Sequence, residues 1–417
     1  MTDTRNRVRD VGVPVTALLL GVALTGCESS GGAGRLSGTD SPGGPRPVGT
    51  PATALADGVQ VHATIADGAK DVDPNTPLKV TVANGQLDSV TLTADGGESL
   101  QGTQQGGSWV LPRTLTPKTS YRLTAVATGA DGTSTSVTRS FRTLTPRVDA
   151  TYRVLPDGDT VGVGMPVQVL FDSAVTTPRQ RAAVEKAIKL TITPAQTGSW
   201  GWSSPTRLYW RPKTFWKPGT KVTVNAPLAG VQTGDGKYVG ADKRARFTVG
   251  SARISKVDLK THQMTVTENG KTVAKYPISG GRPTAEYATR SGVKVITEKH
   301  RHLVMDAATL GVEEDDPEYY KLDVNYAMRV TDTGEFLHSA PWSVWAQGNS
   351  NVSHGCTNLG PRDAKAMFEA TKIGDPVVFV GSNRQFKSGE GLDVWVHGWP
   401  EWQARSAVRQ LAAQAGR

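Results

Sequence analysis

The sequence predicts a mainly β protein, in which two β-sandwich domains are followed by a larger β-rich domain and a short helical C-terminal strap. A length of 417 residues is too great for one ordinary core and suggests about three domains. From about residue 57 to residue 250, apolar and polar residues alternate over short segments, and Gly- and Asp-rich turns separate these segments. Helical periodicity is limited to a few short stretches, so strands dominate the prediction.

The N-terminus has the pattern of an export signal. A start with three arginines precedes an apolar run over residues 11–24, which is too short to span a bilayer as a stable helix. The run ends in Leu24-Thr25-Gly26-Cys27, which resembles a bacterial lipobox. This resemblance implies that Cys27 is acylated and anchors the chain to the outer face of the cell membrane. An ordinary signal peptide with a chance cysteine is the alternative.

Composition and turn signals divide the rest of the chain. The stretch before residue 56 is rich in Gly, Ser and Pro and has almost no large apolar side chains, so it cannot build a core. The predicted segments are a lipoprotein signal peptide (1–26), a flexible linker (27–55), two β-sandwich domains (56–146 and 147–250), a third domain (251–381) and a C-terminal strap (382–417).

The second sandwich is predicted to contain one helix and an aromatic stripe. Pro178 suits a first helical position, and apolar residues recur at helical spacing after it: Ala183, Ala187 and Leu190, beside Val184 and Ile188. Four of the ten tryptophans lie between residues 200 and 216. Such a stripe can stack on sugars, but packing is the more common role, because tryptophan buries a large area. Three tryptophans of the strap are also expected to pack against the body.

The third domain is predicted to combine strands with one helix. The expected strands cover residues 254–259, 264–266, 293–296, 328–330 and 377–380. Pro361 suits the first turn of the helix, Gly374 lies past its end, and its apolar face carries Ala364, Met367 and Phe368. Because this helix follows Cys356 in sequence, its N-terminal dipole is expected to lie near the thiol.

Charge and cysteine content narrow the function classes. The net charge is +9, and +8 after loss of residues 1–26, which suits work among anionic wall polymers. A nucleic-acid partner is not expected, because the sequence has no Lys/Arg-rich block or aromatic-basic motif. If Cys27 carries lipid, Cys356 has no cysteine left to pair with. Cys356 is then either inert and buried or a working thiol.

Residues 336–359 carry the candidate chemistry. A free thiol has a pKa of roughly 8.5 and needs a nearby base or positive charge to act as a nucleophile. His354 lies two residues before Cys356, and His338 lies 18 residues before it, at the end of a predicted strand. A strand can hold a base rigidly against the thiol, so His338 is the better candidate for proton transfer.

The pattern of His338, 14 intervening residues and Ser-His-Gly-Cys-Thr-Asn resembles the catalytic signature of L,D-transpeptidases. The resemblance covers essentially the whole chain after the signal, because these proteins carry two immunoglobulin-like domains before a YkuD-type catalytic domain. It implies the same fold for this chain. It also implies that Cys356 attacks a carbonyl carbon, that His338 takes the thiol proton and that the Ser339 carbonyl orients the imidazole.

The resemblance assigns further roles around the cysteine. Tyr320 and backbone N–H groups around Gly355 and Cys356 would hold the oxyanion, and such donors are each worth about 3 kcal/mol. The other implied roles are a frame for the site from His354, a donor-binding groove lined by Thr333, Gly334 and Asn358, and a lid that includes Met305 and Trp342. A plain packing role for Tyr320 stays open, because the adjacent tyrosine could serve instead.

The implied activity is peptidoglycan cross-linking outside the cell. The cysteine would take the acyl group of a tetrapeptide donor stem as a thioester, release D-Ala and pass the acyl group to the side-chain amine of an acceptor stem, which gives a 3→3 cross-link. Carbapenem β-lactams are expected as covalent inhibitors. No cofactor or metal is expected, and the acidic run at residues 313–316 is interpreted as a solvated lid loop.

Other functions remain open from the sequence. The same acyl-enzyme could be hydrolysed, as in an L,D-carboxypeptidase, or could transfer the acyl group to a protein and so anchor it to peptidoglycan. The third domain could also be an inactive part of a wall-binding spacer. The intact set of candidate residues argues against the spacer.

Overall fold

The structure is a computed structural model that describes residues 58–416, apart from the side chain of Leu310. The expected signal peptide, Cys27 and the linker lie outside the described residues. The described part contains 28 strands and four α-helices, which confirms the mainly β prediction. None of the helices over residues 58–416 is long and apolar enough to cross a membrane.

The first sandwich consists of two four-stranded sheets around one core. Its strands are β1 (Gln60–Ala63), β2 (Lys79–Ala83), β3 (Gly85–Ala94), β4 (Ser99–Leu100), β5 (Thr103–Gln105), β6 (Ser108–Val110), β7 (Ser120–Gly129) and β8 (Ser134–Arg142). The strand orders are β1-β2-β6-β5 and β4-β3-β7-β8. Alternation explains the layering: every second residue of β7 from Tyr121 to Ala127 is buried in the core that both sheets share.

The second sandwich has two four-stranded sheets, a small three-stranded sheet and one helix. Its elements are β9 (Val148–Ala150), β10 (Tyr152–Leu155), β11 (Thr160–Val161), β12 (Val167–Phe171), α1 (Pro178–Ala187), β13 (Lys189–Thr193), β14 (Gly198–Ser204), β15 (Arg207–Pro212), β16 (Lys221–Ala226), β17 (Gln232–Gly234), β18 (Lys237–Val239) and β19 (Lys243–Val249). The strand orders are β10-β12-β15-β14, β11-β19-β16-β13 and β17-β18-β9.

Helix α1 begins where the sequence predicts, but its buried face differs from the prediction. Thr177 caps the helix and forms a capping box with Gln180, which fixes the start at Pro178. Ala183 is exposed and Leu190 lies in β13, so these two residues were predicted wrongly. Val184 and Ile188, predicted beside them, are buried in the core. The buried residues are Ala182, Val184 and Glu185, so a carboxylate occupies the inner face.

Three of the four tryptophans in the aromatic stripe are packed into the core of the second sandwich, and Trp200 packs half-buried against it. Trp202, Trp210 and Trp216 are 6%, 7% and 2% exposed, so their faces are not available to stack on a sugar. The indole N–H groups find partners inside the fold: that of Trp216 donates to the Met165 carbonyl over 2.6 Å. The stripe therefore stabilises the second sandwich.

The third domain has a five-stranded sheet and a four-stranded sheet with a helix packed on them. Its elements are β20 (Arg253–Asp258), β21 (Gln263–Glu268), β22 (Lys271–Pro277), β23 (Gly292–Val295), β24 (Glu298–Asp306), a 3-10 turn (Ala307–Leu310), β25 (Lys321–Arg329), β26 (Phe336–Ser339), a 3-10 turn (Pro341–Ser343), β27 (Thr357–Leu359), α2 (Pro361–Ala370) and β28 (Pro376–Val380). The strand orders are β22-β21-β20-β28-β23 and β24-β25-β26-β27. The buried face of α2 carries the predicted Ala364, Met367 and Phe368, and it joins one core with both sheets.

The C-terminal strap packs on the second sandwich. It ends in α3 (Trp399–Ala404) and α4 (Ala407–Ala415). The indole N–H of Trp402 donates to the Ser199 carbonyl over 3.0 Å, and Trp402 is fully buried. The Arg211 guanidinium lies 4.6 Å from the ring centre of Trp395 and 5.3 Å from that of Trp402. The expected packing of the strap tryptophans is therefore present.

The buried Glu185 carboxylate ties the strap to helix α1. It accepts hydrogen bonds from the Trp202 indole over 2.8 Å, from the Ala407 N–H over 2.6 Å and from the Ser406 hydroxyl. Ser406 is the N-cap of α4, so the carboxylate also lies at the positive end of that helix. Burial raises the pKa of Glu185, and the hydrogen bonds oppose that rise.

Replacement of Glu185 by alanine should loosen the strap. Three buried donors would lose their acceptor, so we expect a loss of about 3 kcal/mol from the unfolding free energy of the second sandwich. Calorimetric unfolding of Glu185→Ala measures this, and limited proteolysis reports release of the strap. Glu369→Ala, at an exposed position of α2, is the matched control and should change stability by less than about 0.5 kcal/mol. Equal effects of the two variants would contradict the assigned role.

Candidate active site

A cavity of about 310 Å³ opens beside Cys356, the free cysteine of the described chain. Its walls are formed by Met305, Tyr320, Leu322, His338, Trp342, Ser343, Trp345, Val352, Ser353, His354, Cys356 and Asn358. A larger hollow of about 610 Å³ lies between the second sandwich and the third domain, but no cysteine or histidine lines it. The smaller cavity is the candidate active site, because it holds the nucleophile and two imidazoles.

Two short parallel strands bring the thiol and the base together. Strand β26 pairs with β27 so that His338 lies opposite Asn358. Alternate side chains of a strand share one face, so Cys356, two residues before Asn358, lies on the same face as His338. Neighbouring strands are about 4.8 Å apart, which places both side chains at the same cavity.

His338 is held as a neutral base. It is 4% exposed, and its Nδ1 lies 2.9 Å from the Ser339 carbonyl oxygen. A carbonyl can only accept, so Nδ1 carries the proton and Nε2 is left with a free lone pair. Burial lowers the pKa of His338 to about 4, and the hydrogen bond to Ser339 opposes this only in part. The imidazole is therefore uncharged at neutral pH.

The Cys356 thiol is protonated in the resting structure. Its Sγ lies 3.6 Å from the Gly334 carbonyl oxygen, to which the S–H donates, and the residue keeps partial exposure toward the cavity. Burial of the sulfur, with a smaller contribution from Glu335, raises the pKa of Cys356 to about 12. The resting pair is thus a neutral thiol and a neutral imidazole rather than an ion pair.

The expected help from the α2 dipole is absent. Strand β27 and Gly360 lie between Cys356 and Pro361, the first residue of α2, so the helix begins about 17 Å of extended chain beyond the cysteine. Helix dipoles act mainly within the first turn. The raised pKa of the Cys356 thiol agrees with this correction.

Tyr320 offers a hydroxyl to the cavity. This hydroxyl makes no hydrogen bond to any other group of residues 58–416, and its ring lies 5.2 Å from that of His354. Burial, followed by the nearby Cys356, raises the pKa of Tyr320 to about 12, so the phenol stays protonated and can donate. The Gly355 N–H, which was also expected to face the oxyanion, already donates to the Ser353 hydroxyl over 3.1 Å. Tyr320 is therefore an open donor, whereas the Gly355 N–H is not.

Gly355 occupies a position that only glycine fits well. Its φ of +133° lies in a region that other residues rarely adopt. Its carbonyl accepts from the buried Thr289 hydroxyl over 2.8 Å, and the same hydroxyl accepts from the Gly281 N–H. The turn before Cys356 is fixed from behind by these bonds.

The remaining predicted residues divide into two groups. Met305, Trp342 and Asn358 line the cavity, as Cys356 does. Asn358 donates to the Ser343 hydroxyl over 2.9 Å. Gly334 touches the thiol through its carbonyl but forms no part of the cavity wall, and the hydroxyl of Thr333 bonds to Thr331 instead. The structure does not bring Thr333 to the site.

No group of three or more His, Cys, Asp or Glu residues between residues 58 and 416 is placed to hold a metal ion. The acidic run at residues 313–316 is exposed, and it lies in the loop between the first 3-10 turn and β25. The run therefore meets solvent.

Comparison with known proteins identifies the family. Residues 252–379 match the L,D-transpeptidase catalytic domain, and residues 69–232 match a bacterial Ig domain. The chain is 35% identical to L,D-transpeptidase 2 of Mycobacterium tuberculosis over 413 residues, which cover 97% of each chain. The chain belongs to the L,D-transpeptidase family.

Two further proteins similar to this chain are also L,D-transpeptidases. This family member is 33% identical to L,D-transpeptidase 5 of M. tuberculosis over 360 residues, which cover 84% of this chain and 77% of that one. Among solved structures, L,D-transpeptidase 3 of M. tuberculosis in complex with a faropenem-derived adduct is 34% identical, covers 56% of this chain and 98% of its own, and has a TM-score of 0.47.

A buried charge cluster of Glu335, Arg290 and Lys294 lies near the cysteine of this L,D-transpeptidase family member, and the sequence did not predict it. Glu335 is 3% exposed, and its carboxylate pairs with Lys294 and with Arg290, the latter over 2.9 Å. Lys294 is fully buried and lies 3.9 Å from the centre of the Phe379 ring. Burial lowers the pKa of Lys294, and Glu335 opposes that fall. A charged residue beside a strand is usually exposed, so the sequence held no signal for this cluster.

The cluster supports the wall against which the thiol rests. In sequence, Glu335 lies between Gly334 and Phe336. The Gly334 carbonyl accepts a hydrogen bond from the S–H of Cys356. The Phe336 N–H donates to the sulfur, which lowers the pKa of the thiol. The Arg290 N–H donates to Glu335 over 3.0 Å. The position of this backbone segment therefore depends on paired buried charges.

Removal of one member of this cluster should be strongly destabilising. Glu335→Ala leaves Lys294 and Arg290 without their shared carboxylate, and we expect a loss of about 3–5 kcal/mol from the unfolding free energy of the catalytic domain. Denaturant unfolding measures the loss. The double variant Lys294→Met/Glu335→Leu should recover most of the stability, because it removes the Lys294–Glu335 charge pair and Arg290 keeps its partner Glu390. An equal loss in the single and double variants would contradict the charge argument.

Proposed function

We propose that this chain is a cysteine acyltransferase that forms 3→3 cross-links in peptidoglycan, with Cys356 as nucleophile and His338 as base. The observation that carries the proposal is the pair of neutral groups at one cavity, with the imidazole oriented by the Ser339 carbonyl. A neutral thiol needs a base only at the moment of attack, and the free Nε2 lone pair of His338 supplies one. Family membership gives the reaction class.

The first step acylates the cysteine. Sγ attacks the carbonyl carbon that joins the third stem residue, a diamino acid, to the terminal D-Ala, and the thiol proton passes to His338 Nε2. The C–S bond forms while the carbonyl oxygen becomes an oxyanion, and the Tyr320 hydroxyl donates to it. The C–N bond then breaks, and the imidazolium gives its proton to the departing D-Ala amine. The product is a thioester and neutral His338.

The second step transfers the acyl group. The side-chain amine of an acceptor stem attacks the thioester carbonyl, and His338 Nε2 takes a proton from the amine. The C–S bond breaks, sulfur leaves, and the imidazolium returns the proton to it. The energy of the original amide is retained in the thioester, so the step needs no ATP and no metal.

The partners and the location belong to the same proposal. The donor and acceptor are peptidoglycan stem peptides, and carbapenems act as covalent inhibitors, because a nucleophile that attacks an amide also opens a strained lactam. The chain is held on the outer face of the cell membrane through lipid on Cys27. The export signal and the lipobox-like sequence at residues 24–27 support this location.

Incubation with a defined tetrapeptide donor distinguishes cross-linking from carboxypeptidase activity. Incubation of the protein with a tetrapeptide stem should release D-Ala and yield a dimer with a 3→3 bond, detected by mass spectrometry. Cys356→Ala should yield neither product, and His338→Ala should slow acylation by about two to four orders of magnitude. Release of D-Ala without dimer would indicate a carboxypeptidase, and turnover by Cys356→Ala would refute the nucleophile.

The pH profile of acylation tests the neutral pair. The base is active when uncharged, and the pKa of His338 is about 4, so the rate should fall only as pH drops toward ~4. The pKa of the thiol is about 12, so the reactive protonation state persists through alkaline pH. Acylation by a carbapenem, followed by loss of its absorbance, should therefore vary by less than about threefold between pH ~5.5 and ~9. A tenfold rise per pH unit would instead mean that the thiolate forms before attack.

A further inference from the structure

Two nitrogen donors from separate segments, the Arg282 guanidinium and the His354 imidazole, converge on one carboxylate beside the cavity. Glu318 lies in the loop between the first 3-10 turn and β25. Its Oε2 accepts from Arg282 Nη2 over 2.5 Å and lies 2.7 Å from His354 Nε2. The bond from Arg282, followed by that from His354, holds the pKa of Glu318 below its usual range. The two donors thus form a receptor for a negative oxygen.

The receptor is built on the backbone that carries the nucleophile. The Arg282 N–H donates to the Ser353 carbonyl over 2.8 Å, three residues before Cys356. The Arg282 guanidinium lies 4.4 Å from the centre of the Tyr287 ring, and the His354 ring meets the same tyrosine edge-on at 4.9 Å. The positions of both donors are therefore fixed relative to the cysteine turn. Glu318, by contrast, reaches them from an exposed loop.

The receptor has a donor that Glu318 does not use. Arg282 Nε is buried and has no hydrogen-bond partner among residues 58–416. The Nε and Nη2 groups of arginine form a planar fork that matches the two oxygens of a carboxylate. Glu318 engages that fork through Nη2 alone. A carboxylate free to choose its approach could bind both nitrogens and leave no buried donor unpaired.

His354 belongs to both the receptor and the cavity wall, and this link identifies the ligand. His354 lines the same cavity as Cys356 and lies two residues from it. In a tetrapeptide donor, the terminal D-Ala carboxylate lies one residue beyond the attacked carbonyl, a step of about 3.8 Å between successive Cα atoms. A receptor beside the cysteine turn is within reach of that group.

We propose that Arg282 and His354 form a subsite for the terminal carboxylate of the donor stem, and that Glu318 occupies this subsite until the donor displaces it. This inference rests on the proposed function. Exchange of one carboxylate for another keeps the charge of the subsite constant, so the Arg282 guanidinium is never left without a negative partner. A stem that continues beyond the fourth residue has an amide at this position, so the subsite selects tetrapeptide donors.

Two donor peptides that differ only in their terminal group test the subsite in the full-length protein. One donor is a tetrapeptide stem with a free terminal carboxylate, and the other is the same peptide with a terminal amide. Arg282→Met should lower kcat/KM about 30- to 100-fold for the carboxylate donor and less than about threefold for the amide donor. Arg282→Lys, which keeps the charge but lacks the fork, should fall between the two. Arg362→Met, at an exposed position of α2, is the matched control and should behave like the wild type.

The role of Glu318 has its own test. Glu318→Gln should raise kcat/KM for the carboxylate donor a few-fold and leave the amide donor unchanged, because a weaker competitor then holds the receptor. A fall for both donors would show that Glu318 only fastens the loop, and would overturn the exchange. Equal losses for both donors in Arg282→Met would overturn the subsite.

A binding measurement tests the subsite independently of the proposed chemistry. Calorimetric titration of the Cys356→Ala variant with the two donors measures affinity without turnover. The carboxylate donor should bind about tenfold or more tightly than the amide donor, and Arg282→Met in the same background should abolish the difference. Failure of cross-linking with this preference intact would refute the proposed function alone, and equal affinities would refute the subsite alone.

Discussion

The parallel pairing of β26 with β27 is the constraint on which the site depends. It sets His338 opposite Asn358, and strand alternation then fixes the side from which Cys356 enters the cavity. A slip of one residue would turn the cysteine to the opposite face of the sheet from the imidazole. The surrounding domain withdraws the imidazole fully and the thiol in part from water, and this burial keeps both groups uncharged until a substrate arrives. The strand pairing thus sets the proximity of the two groups, and burial by the domain sets their protonation state.

Local signals in the sequence were sufficient for much of this architecture. The fold class followed from alternation between turns, and helix α2 from Pro361 and an apolar face. The pairing of His338 with Cys356 at one cavity followed from a motif in which both partners lie within 18 residues. In each case, the residues that decide the structure are near neighbours along the chain. Periodicity and spacing report such neighbours directly.

The features that escaped prediction involve contacts between distant residues. Glu335 meets Lys294 across 41 positions, and Glu318 meets His354 across 36, and nothing in the local sequence of any of these residues indicates its partner. The protonation state of Cys356 also depends on distant residues, because the whole domain buries the thiol and so raises its pKa. The α2 dipole was misjudged because adjacency in sequence does not give distance in space when an extended strand intervenes. Long-range packing therefore decided what local patterns could not.

The strap has a consequence for the order in which the molecule folds. Trp402 and Ala407 belong to the same core as β12 and β16, which lie about two hundred residues earlier, and the catalytic domain occupies the chain between them. The central domain therefore closes its core only after the last helices exist, and such long-range contacts slow folding. Domains commonly fold from the N-terminus onward during synthesis. In this protein the second sandwich cannot complete its core until the C-terminal strap has been synthesised. An incomplete chain therefore exposes apolar surface of the second sandwich even after residues 147–250 have been made.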